Sequence, residues 1–323
     1  MTAAAAVRAR GLRKVFPGGV AAVDGIDLDV RPGEIFGLLG PNGAGKSTTI
    51  RMLTTLLRPT AGEVRVAGFD VVAEASRVRR RIGVALQEAG LDESATGREL
   101  LVLQGRLFGA RRRAAGERAA RLLGVVGLID VAERRIGSYS GGMRRRLDLA
   151  SALINNPDVV FLDEPTAGLD PASRQRIWDE VRGINRGHGV TVILTTHYLE
   201  EADRMADRVA ILDHGHIVAE GTPRALKGAI GGDVVRIAVS ADRVGDARAA
   251  LGSPGAVTET RLDGTWLTLF LRDGAAQLAQ IVRRLDDAGV PVGPVAVQNT
   301  TLDDVFLRAT GYRLAQSTPE APT

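Results

Sequence analysis

Residues 40–49, GPNGAGKSTT, constrain the fold of this chain more than any other stretch. The apolar run before them, residues 34–40, predicts a buried strand, and Ile50, Leu53 and Leu57 after them follow a helical spacing. A glycine-rich turn between a strand and a helix, with the pattern G-x-x-x-x-G-K-S, is typical of a phosphate-binding P-loop. Backbone N–H groups of such a loop converge on phosphate oxygens. The sequence therefore predicts an α/β fold built around a nucleotide site.

A lysine at position 46 supports a phosphate site. The chain contains 42 lysine and arginine residues, and only Lys14, Lys46 and Lys227 are lysine. The lysine ammonium is a compact point charge that suits the space between a β- and a γ-phosphate, where the planar guanidinium of arginine fits badly. Ser47 offers a hydroxyl oxygen, which is the kind of ligand that Mg²⁺ prefers. The two residues together predict a nucleoside triphosphate bound with Mg²⁺.

Polar residues at the ends of two further apolar runs predict the rest of the site. In residues 158–165, DVVFLDEP, Asp163 would hold Mg²⁺ through water and Glu164 would polarise the attacking water as a general base. Residues 190–197, VTVILTTH, end at His197, which would point at the same ligand edge of a parallel sheet. An acidic turn or a lone histidine is an ordinary structural feature by itself, and the neighbouring P-loop is what favours a catalytic role.

A serine followed by two glycines marks a second helix start. In residues 139–153, YSGGMRRRLDLASAL, Ser140 is a good N-cap, and Gly141 and Gly142 expose backbone N–H groups. The same pattern also describes an ordinary capped helix. With the P-loop in the same chain, it predicts a second anion-binding position.

The motifs occur in an order that resembles the nucleotide-binding subunit of an ABC transporter. The matching stretches, over about residues 5–225, are GPNGAGKST, Gln87, YSGGM, VVFLDEP, AGLD and His197. The resemblance implies an α/β P-loop ABC-type ATPase core with antiparallel β and α-helical subdomains (the latter about 88–156), and ATP and Mg²⁺ as ligands. The implied nucleotide-binding residues are Phe16, Gly40, Pro41, Asn42, Gly43, Ala44, Gly45, Lys46, Ser47, Thr48, Ser140, Gly141, Gly142, Asp163 and Asp170. The implied catalytic residues are Glu164, His197 and Gln87, and the implied metal ligands are Ser47, Gln87 and, through water, Asp163.

The resemblance implies a role for each residue outside the P-loop. Phe16 would stack on adenine, and Gln87, at the end of the strand IGVALQ, would touch the metal and relay to the membrane partner. Residues 140–142 would bind the γ-phosphate of ATP held by the opposite subunit. Asp170 would belong to the loop that communicates across the dimer, and His197 would contact the γ-phosphate. Each ATP would thus lie between two copies of the chain.

Two residues depart from the family pattern. Met143 stands where the family usually has glutamine, so a polar contact from that side chain is not expected. Tyr139 replaces the usual leucine, and we expect it to pack.

Local capping patterns predict two helix starts. Thr96 and Glu99 form a capping box ahead of an apolar helical run. Asp170 followed by Pro171 is an N-cap with proline at the first helical position, which is compatible with a functional role for the aspartate.

Charged clusters outside these motifs predict surface features. The arginine runs at 79–81, 111–113 and 144–146 are interpreted as solvated faces, with contact to a membrane subunit or anionic lipid as the alternative. His214 and His216 could resemble a metal pair, but the sequence DHGHIV favours a surface hairpin turn.

About a hundred residues after residue 225 predict a second domain, residues 226–311. The order β-α-β-β-α-β, with an Asp-Gly hairpin turn and a last proline-containing edge strand, is typical of a small ferredoxin-like α+β module. Residues 300–311, TTLDDVFLRATG, resemble the ending of the daunorubicin/doxorubicin-resistance exporter ATPases, as do the stretches after Gln87 and after His197. LDDVFL is either a contact strip or part of the module's own core. Residues 312–323 are expected to be a disordered tail.

Composition limits the function classes. The chain has no cysteine, a net charge of +4 and no apolar run of about 18 residues, so disulfides, thiolate metal sites and a membrane-spanning helix are not expected. The N-terminus lacks the pattern of a signal peptide. The resemblance favours the ATP-hydrolysing subunit of an exporter of hydrophobic drugs, antibiotics or lipids. Its partners would be an integral-membrane permease subunit and a second copy of itself, at the cytoplasmic face of the membrane, and no nucleic acid.

Two alternatives share parts of this pattern. A soluble ABC ATPase of nucleic-acid repair or translation usually has tandem ATPase halves, a long coiled coil or zinc-binding cysteines, and none of these is seen in the sequence. An importer ATPase with a regulatory tail shares every catalytic motif. The resemblance after Gln87 and in the tail favours export.

Overall fold

A computed structural model describes residues 5–87, 90–230, 233–251, 257–263, 266–271 and 274–312. The chain divides into two compact units, Met1–Glu220 and Gly221–Thr323. Within the described ranges, no helix has both the length and the apolar character needed to cross a bilayer.

The first unit alternates strands and helices along the chain. Its strands are β1 (Val7–Val15), β2 (Ala21–Val30), β3 (Ile35–Leu39), β4 (Ala61–Val66), β5 (Phe69–Asp70), β6 (Ile82–Ala85), β7 (Val159–Asp163), β8 (Thr191–Thr196), β9 (Arg208–Asp213) and β10 (His216–Gly221). Its helices are α1 (Lys46–Leu53), α2 (Ala75–Arg81), α3 (Gly97–Leu107), α4 (Arg112–Val125), α5 (Gly141–Ala152), α6 (Pro171–His188) and α7 (Leu199–Met205), with short 3₁₀ turns at Ile129–Val131 and Ile136–Ser138.

A six-stranded sheet positions the P-loop. Its strand order is β10-β9-β3-β8-β7-β6, and the five strands from β9 to β6 pair in parallel. Every residue of β3, β7 and β8 is buried, as expected for parallel strands covered on both faces. Because the carboxyl ends of parallel strands meet at one edge, the segments after these three strands come together there.

A four-stranded antiparallel sheet, in the order β2-β1-β4-β5, packs on the same core. On β1 the residues Val7, Ala9 and Leu12 face inward and are buried. They belong to one cluster with Ile50 of α1 and Phe36 of β3. The cluster therefore holds the helix that follows the P-loop between the two sheets.

Helices α3, α4 and α5 form a second apolar cluster. It includes Leu101, Leu123 and Leu147, one from each helix. The capping box that starts α3 is confirmed: Thr96 Oγ1 accepts from Glu99 N at 3.1 Å, and Glu99 Oε2 accepts from Thr96 N at 2.9 Å.

Tyr139 packs as the sequence predicts. Its side chain is buried in the cluster of α3, α4 and α5, and its hydroxyl donates to Val131 O at 2.8 Å.

The second unit is a four-stranded sheet with helices. Its elements are α8 (Pro223–Ile230), β11 (Asp233–Ala238), α9 (Val244–Leu251), β12 (Val257–Asp263), β13 (Trp266–Leu271), α10 (Gly274–Asp287), β14 (Val295–Asn299) and α11 (Leu302–Thr310). The antiparallel order β12-β13-β11-β14 is that of a split βαβ module. It confirms the predicted ferredoxin-like topology, with β14 at an edge.

Two details of this unit differ from or add to the prediction. Pro291 and Pro294 precede β14 and are not part of it, because the strand begins at Val295. The Asp-Gly turn lies at Gly264, outside the described residues, as does the predicted tail from residue 313.

LDDVFL, on α11, packs within its own module. Leu302, Val305, Phe306 and Leu307 on α11 are all buried, and α11 packs against α8 within the unit. Thr301 and Asp304 form a capping box at the start of the helix. Of the two predicted alternatives, the structure shows the packing role.

Candidate functional site

Lys46 is folded back over the P-loop. It is the first residue of α1 and is 4% exposed, and its Nζ donates to Gly40 O at 2.8 Å and to Pro41 O at 3.0 Å. Burial lowers the pKa of the Lys46 ammonium, while the charges of Glu164 and Asp163 act in the opposite direction. The ammonium therefore sits at the mouth of the loop with two carboxylates facing it.

The loop needs glycine where it enters the helix. Gly45 has φ +104°, and a Cβ there would lie 2.4 Å from Ala22 O. Two features of Gly45 therefore disfavour any residue with a side chain: its left-handed backbone conformation and the close approach of strand β2. The turn between β3 and α1 contains Gly40, Pro41, Asn42, Gly43 and Ala44. Ser47 and Thr48 follow Lys46 in the first turn of α1.

Glu164 lies against both Lys46 and His197. Its Oε1 is 3.6 Å from Lys46 Nζ and 3.3 Å from His197 Nδ1. The contact with His197 is the main cause that lowers the pKa of Glu164, and Lys46 adds to it, although burial acts in the opposite direction. The carboxylate is thus ionised at neutral pH, which a general base requires.

The backbone of Glu164 is strained. Its φ is +47°, in the left-handed region that side chains other than glycine rarely adopt. Such strain is characteristic of functional sites and persists only where neighbouring groups hold it. One of these groups is Thr195, whose Oγ1 accepts from Glu164 N at 2.9 Å.

Asp163 connects the P-loop to β8. Its Oδ1 accepts from Ser47 Oγ at 3.1 Å and from Thr195 Oγ1 at 2.6 Å. A hydroxyl and a carboxylate oxygen side by side are hard ligands that fit Mg²⁺. Thr195 was missed by sequence reasoning, although its place in β8, two residues before His197, would have put it at the ligand edge.

Gln87 lies beyond the end of its strand. The strand β6 ends at Ala85, so the prediction that Gln87 ends the strand is wrong by two residues. The pairing of β6 with β7 ends at Ala85 and Leu162, and the carbonyl of the next residue, Leu86, accepts from the Arg145 side chain instead. Gln87 is exposed in the following bend.

The remaining predicted residues lie on exposed turns and helix starts. Phe16, 37% exposed, follows β1 in the turn to β2. Ser140 is the exposed N-cap of α5 and accepts from Met143 N at 3.3 Å. Gly141 and Gly142 are the first two residues of that helix. Asp170 caps α6, with Pro171 as its first residue.

One of the three arginine runs is misinterpreted from sequence. Residues 79–81 and 111–113 are exposed, as predicted. In residues 144–146 the prediction of a solvated face is wrong, because Arg145 is 11% exposed and donates to backbone carbonyls below the helix. Periodicity does not reveal this burial, since the acceptors come from other parts of the chain.

His214 lies in a tight turn, as the sequence favours, and His216 is the first residue of the strand that follows it. His214 and Gly215 both have positive φ, between β9 and β10. This is the backbone of a two-residue hairpin loop.

Comparison with known proteins agrees with this geometry. The family model for ABC transporters matches residues 23–167, and the model for the C-terminal domain of DrrA1-3-like ATP-binding proteins matches residues 221–310. The daunorubicin/doxorubicin resistance ATP-binding protein DrrA of Streptomyces peucetius is 48% identical over 312 residues, which cover 95% of this chain and 93% of that protein. The chain belongs to the ABC transporter ATP-binding family. It is the ATPase subunit of an ABC exporter.

Other relatives of this ABC ATPase are also named for resistance or export. The doxorubicin resistance ATP-binding protein DrrA of Mycobacterium tuberculosis is 45% identical, covering 94% of this chain and 93% of that protein. The Nod factor export ATP-binding protein I of Ralstonia nicotianae is 40% identical, with the same coverage. These relatives do not favour the nucleic-acid and importer alternatives.

Solved ABC cassettes resemble the ATPase core. A dimeric ATP-binding cassette in a post-hydrolysis state with ADP and phosphate superposes with a TM-score of 0.62 at 27% identity, covering 67% of this chain and 98% of that one. A cassette from an ABC transporter complex of Clostridium perfringens, at 24% identity, covers 70% of this chain and 91% of that one and shares the fold with a TM-score of 0.65. The P-loop ABC fold predicted from sequence is confirmed.

Proposed function

We propose that this ABC ATPase drives export of hydrophobic drugs, antibiotics or lipids through a separate membrane permease subunit. The support for the substrate class is the 48% identity to a daunorubicin/doxorubicin resistance protein over nearly the whole chain. The absence of a membrane-spanning helix among the described residues is compatible with a separate permease. The chain would then act at the cytoplasmic face of the membrane.

The contact of Glu164 with Lys46 and His197 is the observation that supports the chemistry. Glu164 would accept a proton from the attacking water, because its carboxylate is kept ionised by these two neighbours. Lys46 would neutralise the charge of the β- and γ-phosphates. His197 would hold the carboxylate in place and contact the γ-phosphate. Phe16, exposed at its turn, would stack on adenine.

Ser47 and Asp163, with Gln87, would hold Mg²⁺. When bound, the ion supplies positive charge to the phosphate oxygens. The hydrogen bond between Ser47 Oγ and Asp163 Oδ1 brings the two oxygens together before any ligand arrives. Gln87, exposed in its bend, would join the site from the side.

Two copies of the chain would complete each ATP site. The P-loop and the exposed helix start at Ser140 belong to the same chain, and Ser140 Oγ accepts from Met143 N of its own helix. An exposed N-cap with two glycines can bind phosphate of a nucleotide held by another molecule. A two-fold dimer places both copies equivalently, so that each P-loop faces the other copy's Ser140, Gly141 and Gly142. Asp170 would take part in communication between the two sites.

The module of residues 226–311 would act by contact. Its own apolar core is complete, since residues of β11, β13, α9 and α10 form one buried cluster. A unit of this kind folds around its own core and influences the ATPase through assembly, not through chemistry.

Inverted membrane vesicles test the export proposal. The chain is co-expressed with a candidate membrane permease subunit, and accumulation of doxorubicin is followed on addition of ATP. We expect ATP-dependent accumulation that is lost in Glu164→Gln, with the exposed Glu200→Gln as control. Equal accumulation with the wild type and with Glu164→Gln would contradict the drug assignment even if purified protein hydrolyses ATP.

A further inference from the structure

Arg145 makes four hydrogen bonds beneath helix α5, which begins after Ser140. Its Nε donates to Pro165 O at 2.9 Å and its Nη2 donates to Asp163 O at 2.8 Å. Its Nη1 donates to Leu86 O at 2.5 Å and to Asp148 Oδ2 at 3.0 Å. One planar guanidinium therefore joins three carbonyls from two backbone segments, and one carboxylate.

The three carbonyl acceptors lie beside the proposed catalytic groups. Asp163 and Pro165 are the residues on either side of Glu164, and Leu86 immediately precedes Gln87. Arg145 thus holds the chain on both sides of the strained Glu164, whose N–H is held from the other direction by Thr195. A side chain on α5 fixes the peptide units that aim the general base.

The burial of Arg145 argues for a geometric role. Arg145 and Asp148 are each 11% exposed, and burial lowers the pKa of the guanidinium. A buried ion pair adds little net stability relative to apolar residues of similar size, because desolvation opposes the attraction. What an apolar pair cannot supply is four directed hydrogen bonds from one rigid fork.

We propose that Arg145 is a positioning residue for hydrolysis: it orients Glu164 through the carbonyls of Asp163 and Pro165 and ties this segment to the Gln87 loop. Because Arg145 lies on the helix that begins at Ser140, a displacement of that helix alters the placement of Glu164 in the same subunit. The proposal rests on the proposed role of Glu164 as general base.

Arg145→Lys is the main test, because it keeps the charge and removes the fork. We expect kcat for ATP hydrolysis to fall by about 10- to 100-fold, the usual effect of misplacing a catalytic group by about 1 Å, with the KM for ATP within a few-fold of the wild type. In a Glu164→Gln background, single-turnover hydrolysis should show no further loss from Arg145→Lys. An equal loss in both backgrounds would show that Arg145 does not act through Glu164, and would overturn the proposal.

Hydrogen–deuterium exchange of the nucleotide-free protein gives a readout without turnover. Residues 159–169 should exchange faster in Arg145→Lys than in the wild type, because their carbonyl anchors are lost. Arg118→Lys is the matched control: Arg118 is half-buried and donates to Leu153 O at 2.5 Å, away from the site. It should leave both kcat and exchange of this segment unchanged. Unchanged exchange in Arg145→Lys, or the same loss of kcat in Arg118→Lys, would overturn the proposal.

A double variant separates positioning from folding. Arg145→Met with Asp148→Leu removes both buried charges together, so its melting temperature should lie above that of Arg145→Met alone, which leaves the Asp148 carboxylate buried without its partner. The kcat of the double variant should still fall as in Arg145→Lys, and wild-type kcat would contradict the proposal.

If Glu164→Gln alone hydrolysed ATP normally, the base role would fail, while the exchange experiment would still report whether Arg145 holds residues 163–165.

Discussion

His197 Nδ1 lies 3.3 Å from Glu164 Oε1, and the two residues follow adjacent parallel strands of one sheet. The same carboxylate oxygen is 3.6 Å from Lys46 Nζ at the P-loop. The neighbouring imidazole and ammonium lower the pKa of this carboxyl, which is the group proposed as the general base.

Glu164→Gln should retain ATP binding and lose turnover by about 10²- to 10⁴-fold, the usual contribution of a general base. The amide occupies the same space but cannot accept the proton from water. Phosphate release measures the rate, and gel filtration with ATP should show a trapped dimer. The exposed Glu200→Gln should behave as wild type. Near wild-type hydrolysis by Glu164→Gln would remove this residue from the role.

Lys46→Ala should weaken ATP binding, and Lys46→Arg should not fully restore it. The 4% exposed ammonium fits between Gly40 O and Pro41 O as a point charge, and a planar guanidinium is too wide for that space. Titration with a fluorescent ATP analogue measures the affinity. Normal affinity and rate in the arginine variant would contradict the argument.

Ser140→Arg should leave ATP binding by the monomer intact and block dimer closure. Ser140 is exposed and contacts its own helix, so its substitution does not reach the P-loop of the same chain. Mixing this variant with Lys46→Ala gives heterodimers in which one site has both defects and the other has none, and partial activity should return. Loss of ATP binding by the Ser140→Arg monomer would show that the opposite-subunit assignment is wrong.

Removal of residues 224–323 should leave ATP affinity within a few-fold of the full chain. The residues proposed for the ATP site all lie in the unit Met1–Glu220, whose buried cluster is separate from that of the second unit. Dimerisation, permease stability or basal ATPase rate should change instead. A truncated protein that is folded by circular dichroism but fails to bind ATP would contradict this division.

Stability should depend on pH through Glu180 on α6. Burial raises the pKa of the Glu180 carboxyl to about 7, and Arg146 and Arg176 only partly oppose it. A raised folded-state pKa means that the contribution of this group to stability is full below its unfolded value, near 4.5, and is lost as pH rises through about 7. Glu180→Gln should therefore melt at a higher temperature than the wild type at pH 8.

The pH series supplies the control for this prediction. The difference in melting temperature between Glu180→Gln and the wild type should shrink as pH falls toward 5. The exposed Glu63→Gln should differ from the wild type by the same small amount at every pH. A Glu180→Gln protein that gains no stability at pH 8 would show that the carboxyl is solvated there.

The parts of the site that depend on local chain geometry were determined by the sequence. The turn at Gly45 needs a residue without a side chain, and Lys46 follows it at the start of the helix. The strand, the loop and the helix are therefore all predicted from a few consecutive residues. The capping box at Thr96 is equally local. Parallel strands also place Glu164 and His197, which follow β7 and β8, at one edge of the sheet, and this is why their proximity could be predicted.

Contacts between segments far apart in sequence were decided only by the tertiary structure. An arginine run on a helix predicts a solvent-facing surface. Arg145 is nevertheless buried, because three carbonyls from other parts of the chain accept from it beneath α5. Thr195 bridges Asp163 and Glu164 only because β7 and β8 pair in this register. The positive φ of Glu164 likewise depends on distant residues. Thr195 accepts from its N–H, and Arg145 donates to the carbonyls of the residues on either side of it. Buried polar atoms need hydrogen-bond partners, and only the packed fold decides which atoms are buried together. The roles of Arg145 and Thr195 follow from that.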